Sequence, residues 1–330
     1  MEPRETVRTW NLGPDGWGWT EVPAPGWGEL VVRNRASLLL PEDIAALRAG
    51  EMPRLRAQVA DVLEAGEEAP FHAGMRIFPA WRASCGLCEA CRRGNETLCP
   101  DWSRDRLVPA GPSQHQLLPA WNARRGSALL SLSDDPVGQV FLHPLARAIR
   151  ALRRSNPALP LRLLVLGEGP VARIWGMLLE LRFPTARRVL LGQGREDCFR
   201  HGFHGAVAHW EEAEASLEGR ADLIVAIDPS GPILEESMER LCPGGILVVV
   251  GEMPGRCELA GRIFSSEEKR LVSCHDAGPR DFRAAVGMMS LLQGRFEELA
   301  QERIAIRSGD TSTDPSQWQA HQILVWEENI

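Results

Sequence analysis

Apolar and polar positions follow two rhythms along the chain. Up to about Gln139 the apolar runs are short and interrupted by turns. Trp27-GELVVRNRAS and Met75-RIFPAW read as strands, and Pro41-EDIAALRAG reads as a short helix closed by Gly50. Leu142 to Asn156 reads as a helix that ends before Pro157. Beyond it, Leu161-RLLVLG, Arg188-VLLG, Ala221-DLIVAID and Gly245-ILVVVG are near-continuous apolar runs of strand length, as expected of strands covered on both faces. Helical stretches separate them: Pro170-VARIWGMLLELRF, with proline at its start, and the amphipathic Ile233-LEESMERL. Alternating buried strands and helices predict an α/β chain with a doubly wound parallel sheet. Phe282-RAAVGMMSLLQG predicts the helix that leads back to the first domain.

Composition narrows the function without naming it. The chain has 330 residues, 44% hydrophobic and 25% charged, and is long enough for two globular domains. A net charge of −7 argues against nucleic acid as the main partner. No apolar run reaches the length of a membrane span, and Met1-EPRETVRTW lacks the apolar core of a signal peptide. The expectation is a cytoplasmic protein in a reducing compartment, with no membrane partner. There is no tyrosine, and Lys269 is the single lysine, so a Tyr/Lys proton-transfer pair is impossible. Phosphate recognition falls to arginine or backbone N–H groups. The eleven tryptophans are expected to be packing residues.

Two motifs carry chemistry. Cys85, Cys88, Cys91 and Cys99 fall in Ser84-CGLCEACRRGNETLC-Pro100, where each short gap returns the chain to one point. That spacing suits one Zn²⁺ held by four thiolates, a closed structural site with no place for substrate water. Arg82, Arg92 and Arg93 would favour thiolates. The bland alternative is four unrelated reduced thiols. The second motif, Gly167-EGPVA, is G-x-G-x-x-A directly after a predicted strand and before a helix. Gly167 permits the tight turn, Gly169 lets the backbone approach a pyrophosphate, and Pro170 and Val171 open a helix whose N-terminus favours anions. About twenty residues on, where NAD binding uses an acid, the chain reads Leu191-Gly192-Gln193-Gly194-Arg195. A missing carboxylate beside an arginine favours a ribose 2′-phosphate, hence NADP(H) over NAD(H).

The cysteine spacing, with Gly86 and Gly94 in place, resembles the structural-zinc lobe of the medium-chain, zinc-type alcohol dehydrogenases. Gly74-Met75-Arg76-Ile77 resembles that family's G-D-R-V, Ser113-QHQLLPA resembles the stretch leading to its cofactor domain, and His143-Pro144-Leu145-Ala146 resembles its E-P-L-A. The resemblance implies a GroES-like β-rich catalytic domain at 1–145 and 284–330, with the zinc lobe at 82–100, and a Rossmann dinucleotide-binding domain at 146–283. It also implies a homodimer in which the region of Gly245-ILVVVG joins two sheets; an unpaired strand edge there would otherwise be an aggregation hazard.

The same resemblance implies a catalytic zinc, but its ligand positions are not met. Leu40 stands where the cysteine would be, Glu42 where the proton-relay hydroxyl would be, and Ala45 where the relay histidine would be; only Asp43 matches. The G-H-E stretch is Pro53-RLRAQVA, without His or Glu. One imidazole, His143, cannot hold such a metal. Proton transfer would then fall to Glu42, and stabilisation of an oxyanion or enolate to His143. The sequence supports a zinc-independent, NADP-preferring oxidoreductase that reduces an activated carbonyl or conjugated C=C bond of a small molecule. A non-catalytic member of the fold, acting as a nucleotide-binding or partner subunit, is the alternative.

Overall fold

The computed structural model describes residues 6–101, 107–132, 135–192, 197–251 and 256–327. Its first stretch lays down β1 (Val7–Gly13), β2 (Gly16–Val22), β3 (Leu30–Leu38), α1 (Pro41–Arg48), β4 (Ala57–Ala65), β5 (Arg76–Phe78), α2 (Glu89–Arg92), β6 (His115–Leu118), α3 (Ala120–Arg125), β7 (Ala128–Leu129), α4 (Pro136–Gln139) and α5 (Leu142–Ser155). There follow β8 (Arg162–Leu166), α6 (Gly169–Arg182), β9 (Arg187–Leu191), β10 (Gly205–Val207), α7 (Trp210–Leu217), β11 (Ala221–Ile227), α8 (Gly231–Arg240), β12 (Leu241–Val250), α9 (Arg262–Ser265) and β13 (Arg270–Cys274). The chain closes with α10 (Pro279–Leu299), β14 (Arg303–Ile306) and β15 (Ile323–Trp326).

Two compact units result. One runs to His143 and resumes at Gly278; the other is Pro144–Ala277. The return point lies six residues before the boundary expected at 283/284. The cause is α10, which starts at Pro279 rather than Phe282 and sets Phe282 against Phe78 of the first unit, ring centroids 5.3 Å apart. A helix is a rigid element, so all of α10 goes with the unit that its first turn packs on.

In the first unit, the mixed sheet runs β14-β15-β3-β4-β5-β7, with β6 also paired to β3 and the β1–β2 hairpin apart. Its core clusters Leu30, Val32, Ala60, Val62, Ile77 and Leu118 on one side. A second cluster is aromatic: Trp10 stacks on Trp17 at 6.2 Å, and Trp17 meets Trp318 and Trp326 edge-on at 6.3 and 6.1 Å. These four tryptophans serve packing.

In the second unit, six strands, all parallel, run β10-β9-β8-β11-β12-β13. Numbered within the unit this is 3-2-1-4-5-6, the order of dinucleotide-binding sheets, with the switch point between β8 and β11. The apolar runs of β8, β11 and β12 are buried on both faces, as their composition demands. One expectation is corrected. The edge expected of Gly245-ILVVVG is not free, because β12 pairs with β11 on one side and β13 on the other. The sheet's outer strand there is β13, which is polar and partly exposed and therefore reads weakly in sequence. Among the described residues, no helix is long and apolar enough to cross a membrane.

Candidate functional site

The cysteine lobe is assembled by short local elements. Gly86 (φ +69°) and Gly94 (φ +75°) take the left-handed conformation that the tight turns need, and α2 carries Cys91 inward. The four Sγ atoms lie within 4.8 Å of one another. Cys88 to Cys91 is 3.5 Å, and Cys85 to Cys91 and Cys88 to Cys99 are both 3.9 Å. A tetrahedral Zn²⁺ with bonds of about 2.3 Å needs sulfurs about 3.8 Å apart, so the donors fit. Backbone N–H groups of Leu87 and Cys88 donate to Cys85 Sγ at 3.4 and 3.3 Å and hold that thiol down to about 6. Burial pushes Cys91 up to about 12. A packed set of thiols with such opposed tendencies is brought to the thiolate form together by a cation at its centre. Arg93 directs its charge to Glu89, at 2.6 Å on the surface, and Arg82 lies over Trp81.

The Gly turn sits where the switch point places it. Gly167 follows β8 with φ +149°, and Gly169 opens α6 with φ +67°. A Cβ on Gly167 would meet Ile227 side-chain atoms at 3.0–3.4 Å. Glu168 precedes the helix without a side-chain cap, so the first N–H groups of α6, at Gly169, Val171 and Ala172, have no intrahelical acceptor; Pro170 between them has no N–H to leave unpaired. A crevice of about 390 Å³ opens at the carboxyl ends of β8, β9 and β11, lined by Gly167, Gly192, His209, Trp210, Glu211 and Asp228 among others. Backbone without side chains, free amides and a flat indole make it fit for a dinucleotide's phosphates and base. Glu168 lines it as well and is exposed.

Gly192 has a packing cause. A Cβ there would stand 2.3 Å from the Gly167 carbonyl oxygen, so no acid could occupy the position. The absence of a carboxylate at 192 therefore says nothing about cofactor choice. Arg195, the other half of that argument, lies outside the described residues. Trp175, on α6, is fully buried in the core, while Trp210 lines the crevice. His201 is buried too. Its Nδ1 lies 2.9 Å from the Asp197 carbonyl, and its backbone runs so close to α6 that only glycine fits at 176.

The stretches where the resemblance implies a catalytic metal hold different chemistry. Leu40 is buried core and has no lone pair, and Ala45 is exposed. Asp43 is buried; its Oδ2 accepts from Leu40 N–H and its Oδ1 from Arg54 and Leu55 N–H, each at 3.0 Å. It ties the start of α1 to the turn entering β4. Burial pushes its carboxyl up to about 6 despite those donors. Glu42 Oε1 accepts from Arg56 Nη1 at 3.1 Å, with both side chains almost wholly buried. Arg56 occupies the G-H-E stretch as a permanent cation and cannot ligate a metal. The donor set at these positions does not fit zinc. Among the described residues, the four cysteines are the one group of three or more His, Cys, Asp or Glu that comes together with ligand geometry.

Beside this pair, the first unit contains a cavity of about 280 Å³, lined by Arg54, Gln58, Trp81, Arg82 and Gln116 with Glu51 at its rim, among others. Three guanidinium groups gather on the Trp81 ring: Arg82 at 3.9 Å, Arg56 at 4.6 Å and Arg54 at 5.7 Å from its centroid. Glu42 and His143 are not among the residues that line it. His143 is fully buried at the start of α5, its ring 5.9 Å from that of Phe282. The structure thus brings together the four cysteines, and Gly167, Gly169 and Gly192. It places Glu42 in an ion pair and His143 in the core. Sequence reasoning missed Arg54, Gln58, His209, Trp210 and Asp228. For the first two a signal existed: Arg54, Arg56 and Gln58 recur as polar residues through an otherwise apolar run just before and at the start of β4.

Comparison with known proteins agrees with this architecture. No protein-family profile matches the chain. It is 28% identical over 259 residues to the probable alcohol dehydrogenase AdhA of Mycobacterium tuberculosis, covering 70% of this chain and 69% of that protein. A zinc-binding dehydrogenase of Sinorhizobium meliloti solved with NADP superposes with a TM-score of 0.81 at 19% identity, over 97% of this chain and 99% of that one. An alcohol dehydrogenase of Escherichia coli CFT073 solved with NADH gives 0.78 at 18% identity, over 97% and 98%. Relatives and structural neighbours are zinc-type alcohol dehydrogenases of the medium-chain dehydrogenase/reductase family, and this chain has their fold, a GroES-like unit with a Rossmann unit.

Proposed function

We propose that the chain is an NAD(P)-dependent oxidoreductase of small molecules that works without a catalytic zinc and carries one structural zinc on Cys85, Cys88, Cys91 and Cys99. The observation that carries this is the crevice at the switch point, where Gly167 and Gly169 leave the first amides of α6 open beside Trp210. The N–H groups of Gly169 and Val171 and the dipole of α6 would hold the pyrophosphate, and Trp210 the base. The bound nicotinamide would supply or accept hydride. A carbonyl or conjugated C=C substrate then needs a proton donor and a group that stabilises developing negative charge. Glu42 and His143 are the sequence candidates for these tasks. Arg56 holds Glu42 in an ion pair, His143 sits in the core, and neither lines the cavity, so the reading rests on the nucleotide crevice and assigns no proton donor. NADP(H) is favoured over NAD(H) through Arg195. The assembly is a homodimer joined at the free edge of β13 rather than at β12.

Calorimetry with NADPH and NADH, followed by a panel of carbonyl and enone substrates, tests this. The expected result is tighter binding of NADPH and turnover on the panel. Arg195→Ala should weaken NADPH alone, by about 1–3 kcal/mol. The fluorescence response to NADPH should vanish in Trp210→Phe and persist in Trp175→Phe. Binding of neither nucleotide would overturn the proposal. Binding without turnover on any substrate would favour the second reading, a non-catalytic subunit, which the ion-paired state of Glu42 supports.

A further inference from the structure

The cavity of the first unit combines three features that a plain alcohol or aldehyde does not use. Arg54 is exposed on its wall, and among the described residues no carboxylate pairs with it; Glu51, at the same rim, does not reach it. Gln58 lines the wall although it is only 3% exposed, and its side-chain amide forms no hydrogen bond with any described residue. Neighbouring Gln116, by contrast, is satisfied: its Nε2 donates to the carbonyls of Pro109 and Gly111, and its Oε1 accepts from Asn34. Trp81 offers a ring face already crowded by guanidinium groups. Of the nearby charges, Glu42 balances Arg56 and leaves the field of Arg54 for a ligand.

The Gln58 amide faces the cavity rather than a protein partner, so it is free to donate to a ligand there. A guanidinium presents its N–H groups as a fork that matches two oxygens of one anion. A space of about 280 Å³ suits a small metabolite.

We propose that this cavity is the substrate site and that the substrate is a small oxyanion, a carboxylate or phosphate monoester with a flat or apolar body. Arg54 reads the anionic head, the Gln58 amide donates to it or to a neighbouring oxygen, and the body lies against Trp81 beside Arg82. The word substrate rests on the oxidoreductase reading; the anion site does not.

The test uses the full-length, zinc-loaded protein and three probes of one shape: benzoate, phenyl phosphate and benzyl alcohol, titrated by calorimetry at low ionic strength. The expected result is that at least one anion binds ten-fold or more tighter than the alcohol, the tighter of the two naming the head group. Arg54→Gln, at an exposed position that leaves the fold intact, should weaken that anion at least ten-fold and leave benzyl alcohol unchanged. Gln58→Leu should weaken it several-fold. Equal binding of alcohol and anion, no binding of any probe, or an anion affinity indifferent to Arg54→Gln would each overturn the proposal. NADPH binding, measured in parallel, separates this failure from failure of the oxidoreductase reading. Loss of NADPH binding with intact anion binding would condemn only the latter.

Discussion

Replacing Glu42 by glutamine removes one charge from a pair that the fold has sealed away from water. The Arg56 and Glu42 side chains are 5% and 9% exposed and 3.1 Å apart, and Arg56 Nε has no hydrogen-bond partner among the described residues. With Glu42 neutral, the Arg56 cation stays buried with the Trp81 face, 4.6 Å away, to offset it in part. Breaking a buried pair from one side costs about 3–5 kcal/mol, whereas removing both charges in favour of apolar groups of similar volume is often neutral or stabilising by about 1–4 kcal/mol. The expected outcome is that Glu42→Gln loses about 3–5 kcal/mol in urea denaturation, or roughly 6–20 °C in melting temperature at about 2–4 °C per kcal/mol for a unit of this size. Glu42→Leu combined with Arg56→Met should recover most of it. A loss below about 1 kcal/mol, the worth of an exposed pair, would refute the reasoning, as would a double variant no more stable than the single one. Turnover per folded molecule of Glu42→Gln is a separate measurement. If it matches the wild type, Glu42 stabilises the fold and moves no proton.

Metal analysis should give one zinc per chain. A chelator strong enough to strip it, or Cys91→Ala, should unfold the lobe, because ligand geometry and lobe folding are coupled; two zincs per chain would contradict the zinc-free mechanism. Asp43 adds a pH dependence. Its carboxyl is raised from 3.8 to about 6 by burial, so the folded state holds the proton more tightly than the unfolded chain. Its stabilising contribution should be complete below pH 3.8 and lost as the pH rises through about 6, a change of about 3 kcal/mol at 1.36 kcal/mol per unit. Urea titrations of wild type and Asp43→Asn from pH 4 to 7 check this: the difference between them should vary with pH. The substitution should also cost about 1–3 kcal/mol, because the NH₂ group that replaces Oδ2 cannot accept from Leu40 N–H. Light scattering should find a dimer for the wild type and a monomer for Ser273→Pro, which removes an N–H on the side of β13 that faces away from β12; a dimer in both would place the interface elsewhere.

The cysteine lobe and the parallel sheet were legible in the sequence because each is written locally. Four cysteines at short spacing must converge, and buried apolar strands alternating with helices have few ways to pack. The Gly167 turn was legible for the same reason: its conformation is a property of three consecutive residues. What only the tertiary structure decided depended on partners far apart in the chain. Gly192 looked like a missing acid, but the Gly167 carbonyl packed against it dictates glycine. Gly245-ILVVVG looked like an edge because sequence does not show that Arg270–Cys274 lies outside it. Glu42 looked like a free acid until Arg56, fourteen residues on, was found holding it. The anion cavity gathers residues from the turn before β4, the loop after β5 and the strand β6, each ordinary when taken alone. Periodicity determines what a segment becomes, while long-range packing determines which side chains meet and therefore what they can do.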